Sequence, residues 1–169
     1  MAVPTLGPAA HALRLLTAGG RTVATAESLT GGLVAAAITD LPGSSAAYLG
    51  GVVAYATRVK HQLLGVDAEL LAAVGAVHPE VAAQMAGGVR AVLGASYGVA
   101  TTGVAGPAGQ DGQGPGTVWI GLADEDRCWA VDASVPAPDT RDAGGRDQVR
   151  RAAVLAAWAA LTAHLHPAG

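Results

Sequence analysis

The chain has 169 residues, enough for one domain with a sizeable core, and 51% of them are hydrophobic against 14% charged. That balance excludes a disordered chain, and a net charge of −3 with scattered arginines argues against nucleic-acid binding. A single cysteine, Cys128, excludes an internal disulfide and a multi-cysteine zinc site; its alternating surroundings read as an inert strand position. No charged-then-apolar leader and no uninterrupted bilayer-length apolar run appear, so a cytoplasmic protein with no membrane partner is expected. Phenylalanine is absent, which leaves Ala, Val, Leu and Ile to build the core. Small side chains bury little area each, and this predicts a homo-oligomer in which a second subunit covers part of the apolar surface.

Taken in chain order, residues 8–18 read as a helix with Leu13, Leu15 and Leu16 inward, ended by Gly19-Gly20. Residues 22–26 have strand character, 27–30 form a turn, and 31–39 read as a helix broken by 40–43. The stretch 49–55 is apolar throughout, which predicts a central strand covered on both faces. Thr57 is expected to cap a short helix over 58–64, and a second short helix covers 68–74, ended by Gly75. In 79–93, Val81, Met85, Val89 and Val92 recur at helical spacing as a core stripe. A strand over 96–102 leads into a glycine- and proline-rich loop over 103–116. Strands at 117–123 and 128–135 are joined by Asp124-Glu125-Asp126. After irregular chain at 136–145, a helix over 146–164 carries Val149, Ala153, Leu155 and Trp158. Alternating helices and strands predict an α/β fold, a three-layer α/β/α domain over 1–169 with a mixed central sheet.

Nine arginines accompany one lysine, Lys60. Arginine keeps its proton in a protein, whereas a buried lysine can lose it, so Lys60 is either a leftover surface residue or a base. Ser28 sits where a strand turns into a helix, beside Thr30, Gly31 and Gly32. Backbone N–H groups there can hold an anion or a developing oxyanion, and the glycines allow close approach; the plain alternative is that Ser28 or Thr30 caps the helix. Tyr55 ends a predicted strand and Lys60 follows on the next helix. Strand ends of a layered fold form crevices, so Ser28, Tyr55 and Lys60 can meet in one cleft, with Lys60 activating the serine and the tyrosine hydroxyl relaying a proton or fixing the lysine. Tyr55 as an aromatic cover on the sheet is the alternative. The run from Thr102 through Gly103, Val104, Ala105 and Gly106 to Pro107 is neither a dinucleotide fingerprint nor a Walker loop; it is either a flexible surface loop or a backbone nest for phosphate. The histidines fit no triad, and no carboxylate set has metal spacing.

These segments together resemble the CinA C-terminal domain family, whose stand-alone members are nicotinamide-mononucleotide amidases. The matching stretches are TVATAESLTGG at 22–32, ITDLPGSSAAYLGGVVAY at 38–55, Lys60, LGV at 64–66 and GAV at 75–77. TGVAGPAG at 102–109, GTVWIGLA at 116–123 and GRDQVRRAA at 145–153 complete the set. The resemblance implies hydrolysis of the carboxamide of a pyridine mononucleotide to acid and ammonia, with no metal or other cofactor. By motif it makes Ser28 the nucleophile, Lys60 the base and Tyr55 the matching tyrosine. Thr102 would position the reacting groups and Arg146 would bind the substrate phosphate. The sequence departs from the family at Thr57, His78 and Gly145. Those changes keep open a nucleotide-binding or scaffold module of the same fold, and a hydrolase of a different small amide.

Overall fold

The computed structural model describes residues 6–136 and 143–165. Helix α1 (Leu6–Ala18) leads into strand β1 (Val23–Glu27), helix α2 (Leu33–Thr39), a single 3-10 turn at Ser44–Ala46 and strand β2 (Tyr48–Val53). Helices α3 (Thr57–Leu64), α4 (Ala68–Val74) and α5 (Pro79–Leu93) follow, then strands β3 (Tyr97–Gly103), β4 (Val118–Ala123) and β5 (Cys128–Asp132), and helix α6 (Ala143–Leu165). The sheet order is β2-β1-β3-β4-β5. β1 lies parallel to both β2 and β3, whereas β4 and β5 run antiparallel, so the sheet is mixed as expected.

The period of two in each strand sorts residues onto two cores. Val23 and Val99 face α1, α2 and α6, packing with Leu16, Ile38 and Trp158. Ala24, Ala26 and Ala100 face α3, α4 and α5, packing with Leu64, Val81, Met85 and Val89. Trp158 is fully buried and donates its indole N–H to the Val34 carbonyl at 3.2 Å. No helix among the described residues is long and apolar enough to cross a membrane.

Between its side-chain contacts, the backbone of helix α5 directly meets the sheet at two glycines and α3 at a third. A Cβ on Gly121 would lie 1.9 Å from the Ala82 carbonyl oxygen, one on Gly98 2.0 Å from that of Ala86, and one on Gly88 1.9 Å from that of Leu64. Glycine at these positions lets backbone meet backbone, which is how a chain without phenylalanine closes its layers.

Two adjacent parallel strands send their chains to opposite faces. After β1 the chain enters α2 on one face; after β2 it enters α3 on the other. Such a reversal opens a crevice beyond the strand ends, and Ser28 and Tyr55 stand at its two lips.

Several expectations need correction. The stretch predicted as a doubly covered central strand is the edge strand β2, with Leu49 46% and Val53 51% exposed. Its apolar run is uninterrupted, and period-two reasoning cannot tell an open edge from a buried centre. The helix predicted from 31 starts at Leu33, because Gly31 and Gly32 adopt φ of 59° and 106°. Thr57 does not cap α3: Ala56 holds the N-cap position, with no side-chain cap. β5 ends at Asp132, although the Ala133 and Val135 amides still reach the Val118 and Gly116 carbonyls. Of the irregular 136–145 segment, α6 already includes 143–145, and 137–142 lie outside the described residues.

The glycine seats give a direct test. Gly121→Ala is expected to cost roughly 1–3 kcal/mol in urea denaturation, since its Cβ meets a carbonyl that cannot move aside. Gly7→Ala, where nothing lies within 4 Å, is expected to be neutral or to stabilise α1 by about 0.5–1 kcal/mol.

Candidate active site

The turn after β1 is organised by a residue that sequence reading passed over. Glu27 is fully buried, and its carboxylate accepts the amides of Gly32 at 2.9 Å, Val34 at 3.0 Å and Ala35 at 2.8 Å. It satisfies the first turn of α2 from the strand side and complements that helix's dipole. Neither Ser28 nor Thr30 caps α2. The Thr30 hydroxyl instead pairs with that of Thr101 at 2.8 Å. Arg150, on α6, donates from Nε to the Leu29 carbonyl at 3.0 Å and from Nη2 to the Thr30 carbonyl at 3.1 Å. The signal for Arg150 was its spacing of four from Arg146, which puts both on one helix face. Glu27 had no such signal, because its role depends on where the next helix begins.

With the cap supplied elsewhere, the Ser28 hydroxyl is free for another partner. The Ser28 amide extends the β1–β3 ladder to the Thr101 carbonyl at 3.0 Å, and the side chain turns toward α3. There Lys60, 1% exposed, places Nζ 3.0 Å from Ser28 Oγ. The same amine donates to the Ala54 carbonyl at 2.7 Å and the Tyr55 carbonyl at 3.4 Å. Two carbonyls take two of its hydrogens, so the remaining direction on nitrogen meets the serine hydroxyl. Burial lowers the Lys60 pKa to about 8, and the negative charge of Asp111 opposes that shift.

Tyr55 is 61% exposed and lies two residues beyond β2, so it does not cover the sheet. Its carbonyl, not its hydroxyl, contacts Lys60. The hydroxyl accepts from Arg146 Nη2 at 3.1 Å, and Arg146 Nη1 donates to the Gly106 carbonyl. Ser28, Leu29, Tyr55, residues 103–110 and Arg146 line one cleft of about 330 Å³, within the range of small-ligand sites. Gly103, Ala105 and Gly106 are in its wall, while Thr30, Gly31 and Gly32 stand behind it in the turn. Thr102 is buried beside the cleft. The β1–β3 register sets it level with Ser28, and its hydroxyl donates to the Ala76 carbonyl at 2.6 Å. His61 Nδ1 donates away to the Val66 carbonyl, and His78 Nδ1 caps α5 by accepting the Glu80 amide at 3.2 Å. A second cleft of about 390 Å³ lies at the opposite end of the sheet, among Arg21, Arg90, Ser96 and Asp124, without a serine–lysine pair.

A family model described as the CinA C-terminal domain matches residues 7–165. The chain belongs to this family. It is similar to a CinA-like protein of Frankia casuarinae, 53% identical over 145 residues, which are 86% of this chain and 32% of that protein. A putative competence-damage inducible protein of Halothermothrix orenii is 52% identical over 65% of this chain and 27% of its own length. The chain therefore spans about a third or less of these relatives. Among solved structures, a CinA superfamily protein of Klebsiella pneumoniae matches with a TM-score of 0.88 and 33% identity, covering 96% of this chain and 98% of that one. A competence/damage inducible protein of Agrobacterium tumefaciens matches at 0.86 and 34%, covering 96% of each.

The division of roles in the turn is measurable. Glu27→Ala is expected to cost about 2–3 kcal/mol in chemical denaturation, because buried amides at the start of α2 lose their acceptor. Ser28→Ala, which removes no cap, is expected to cost about 1 kcal/mol or less.

Proposed function

We propose that the chain is an amidohydrolase that converts nicotinamide mononucleotide to nicotinic acid mononucleotide and ammonia. The observation that carries this reading is a lysine amine, shut off from water, 3.0 Å from a serine hydroxyl that caps nothing. A serine needs a base to become a nucleophile, and a desolvated lysine with a pKa of about 8 is neutral often enough near physiological pH to act as one. The resemblance of the chain to the CinA C-terminal domain family supports a pyridine mononucleotide as substrate. The cleft supports it with a guanidinium at Arg146 and the backbone of 103–109 to receive a phosphate.

In the reaction, neutral Lys60 takes the Ser28 proton as Oγ attacks the carboxamide carbon. The tetrahedral oxyanion forms near the turn. There the amides of Ser28, Gly31 and Gly32 already have acceptors, whereas those of Leu29 and Thr30 have none among the described residues. Because a trans peptide points its C=O and N–H oppositely, Arg150 on the Leu29 carbonyl aims the Thr30 N–H the other way. We assign these two amides to the oxyanion. Collapse breaks the C–N bond, and the lysine proton leaves on ammonia. Water then attacks the ester with Lys60 as base, and the proton returns to Ser28 as the acid departs. The ring's positive charge favours both attacks by withdrawing electrons.

Incubation of the purified chain with nicotinamide mononucleotide should release ammonia. Lys60→Arg, which keeps the charge but cannot give up its proton, is expected to lower kcat by roughly a thousandfold or more, as is Ser28→Ala. Nucleotide binding without ammonia release would instead support a binding module. Since the base must be deprotonated, kcat/KM should rise about tenfold per pH unit and level off above about pH 8. A flat profile between pH 6 and 8 is incompatible with Lys60 as the base.

A further inference from the structure

We propose that Asp111 is a positioning residue of this reaction: it clasps the glycine loop to the corner at 75–77 and so holds the loop wall of the cleft that Ser28 lines. The inference rests on the serine–lysine reading and adds a residue to it. Asp111 directly follows the stretch of loop that lines the cleft. Its Oδ2 accepts the Ala76 amide at 2.8 Å and receives Gln110 Nε2 at 3.4 Å. The carbonyl of the same Ala76 accepts the Thr102 hydroxyl at 2.6 Å. Both polar groups of one residue are thus occupied, one by β3 and one by the loop.

The seat is shaped for the carboxylate. Gly75 has φ of 77°, and a Cβ there would lie 2.3 Å from Asp111 Cγ. Asp111 itself adopts φ of 53°, a left-handed conformation that Asp and Asn tolerate better than most side chains. Clasping this point holds the loop that carries Ala105 and Gly106 in the wall of the cleft that Ser28 also lines.

The charge has a second effect. The other charged and titratable groups on the elements packed here have partners of their own. Glu27 is bound to the amides of α2, and Arg146 to Tyr55 and Gly106. On α3 itself His61 turns to Val66, and on α5 His78 turns to Glu80. Among the described residues, the negative charge that acts on the buried amine is that of Asp111, and it favours the protonated form. Without it burial would act alone, and the lysine would release its proton at lower pH.

One lysine per chain makes this readable without any substrate. Protein labelled with 13C at the lysine ε-carbon gives a single side-chain resonance whose pH titration reports Lys60 directly. Asp111→Asn keeps an acceptor for the Ala76 amide and suits the left-handed backbone, but removes the charge. Its midpoint is expected to fall by about half a pH unit, roughly threefold in proton affinity. Asp111→Ala should show the same fall and, having lost the clasp, a several-fold higher KM for nicotinamide mononucleotide than Asp111→Asn. Equal midpoints in wild type and Asp111→Asn, both folded by circular dichroism, would overturn the charge effect. Equal KM values in the Ala and Asn variants would overturn the clasp. A shifted resonance in a protein that releases no ammonia supports the Asp111 effect on Lys60 and rejects only the amidase reading. A shifted resonance with an acidic limb of kcat/KM that moves with it supports both.

Discussion

An amine held in a dry corner is the constraint around which the site is arranged. Burying the Lys60 head group costs free energy, and the protein offsets part of that cost with two main-chain carbonyls and one hydroxyl. The carbonyls come from Ala54 and Tyr55, just past the end of β2, and the lysine from the helix that begins immediately after. A short chain segment therefore folds back on its own side chain. The nucleophile arrives separately, from the neighbouring strand. The parallel pairing of β1 with β2 brings the two pieces into reach, so the reactive pair depends on sheet register.

Around that pair, the remaining polar residues brace the site. Glu27 satisfies the helix start, which leaves the adjacent serine without a structural partner to compete for its hydroxyl. Arg150 holds the turn's carbonyls from α6, and Arg146, one helical turn earlier, reaches the tyrosine and the glycine loop. A single helix thus braces both walls of the cleft. Such bracing is what preorganised sites require, since it holds the reacting groups in place before substrate arrives.

Much of this was legible in the sequence. The layered fold followed from alternating helices and strands, and the meeting of Ser28 with Lys60 followed from strand ends sharing a crevice. What was not legible depended on neighbours distant in the chain. An apolar run such as 49–55 carries no mark of whether another strand will lie beside it, so β2 was placed at the centre when it forms the edge. Thr57 has the right chemistry for a cap but sits one residue inside the helix. Tyr55 was read through its hydroxyl, yet the atom that touches the lysine is its carbonyl, which every residue type has. Asp111 and Glu27 gained meaning only once loop and strand were folded against their targets.

The contacts of Gly98 and Gly121 also bear on how such a domain changes over time. Where a helix rests on a sheet through side chains, every substitution alters the spacing a little, and errors accumulate. At these two points the spacing is set by peptide atoms, which are the same in all proteins. Provided these few positions stay bare, the surrounding alanines and valines are free to drift without moving the ruler against which the crevice is measured.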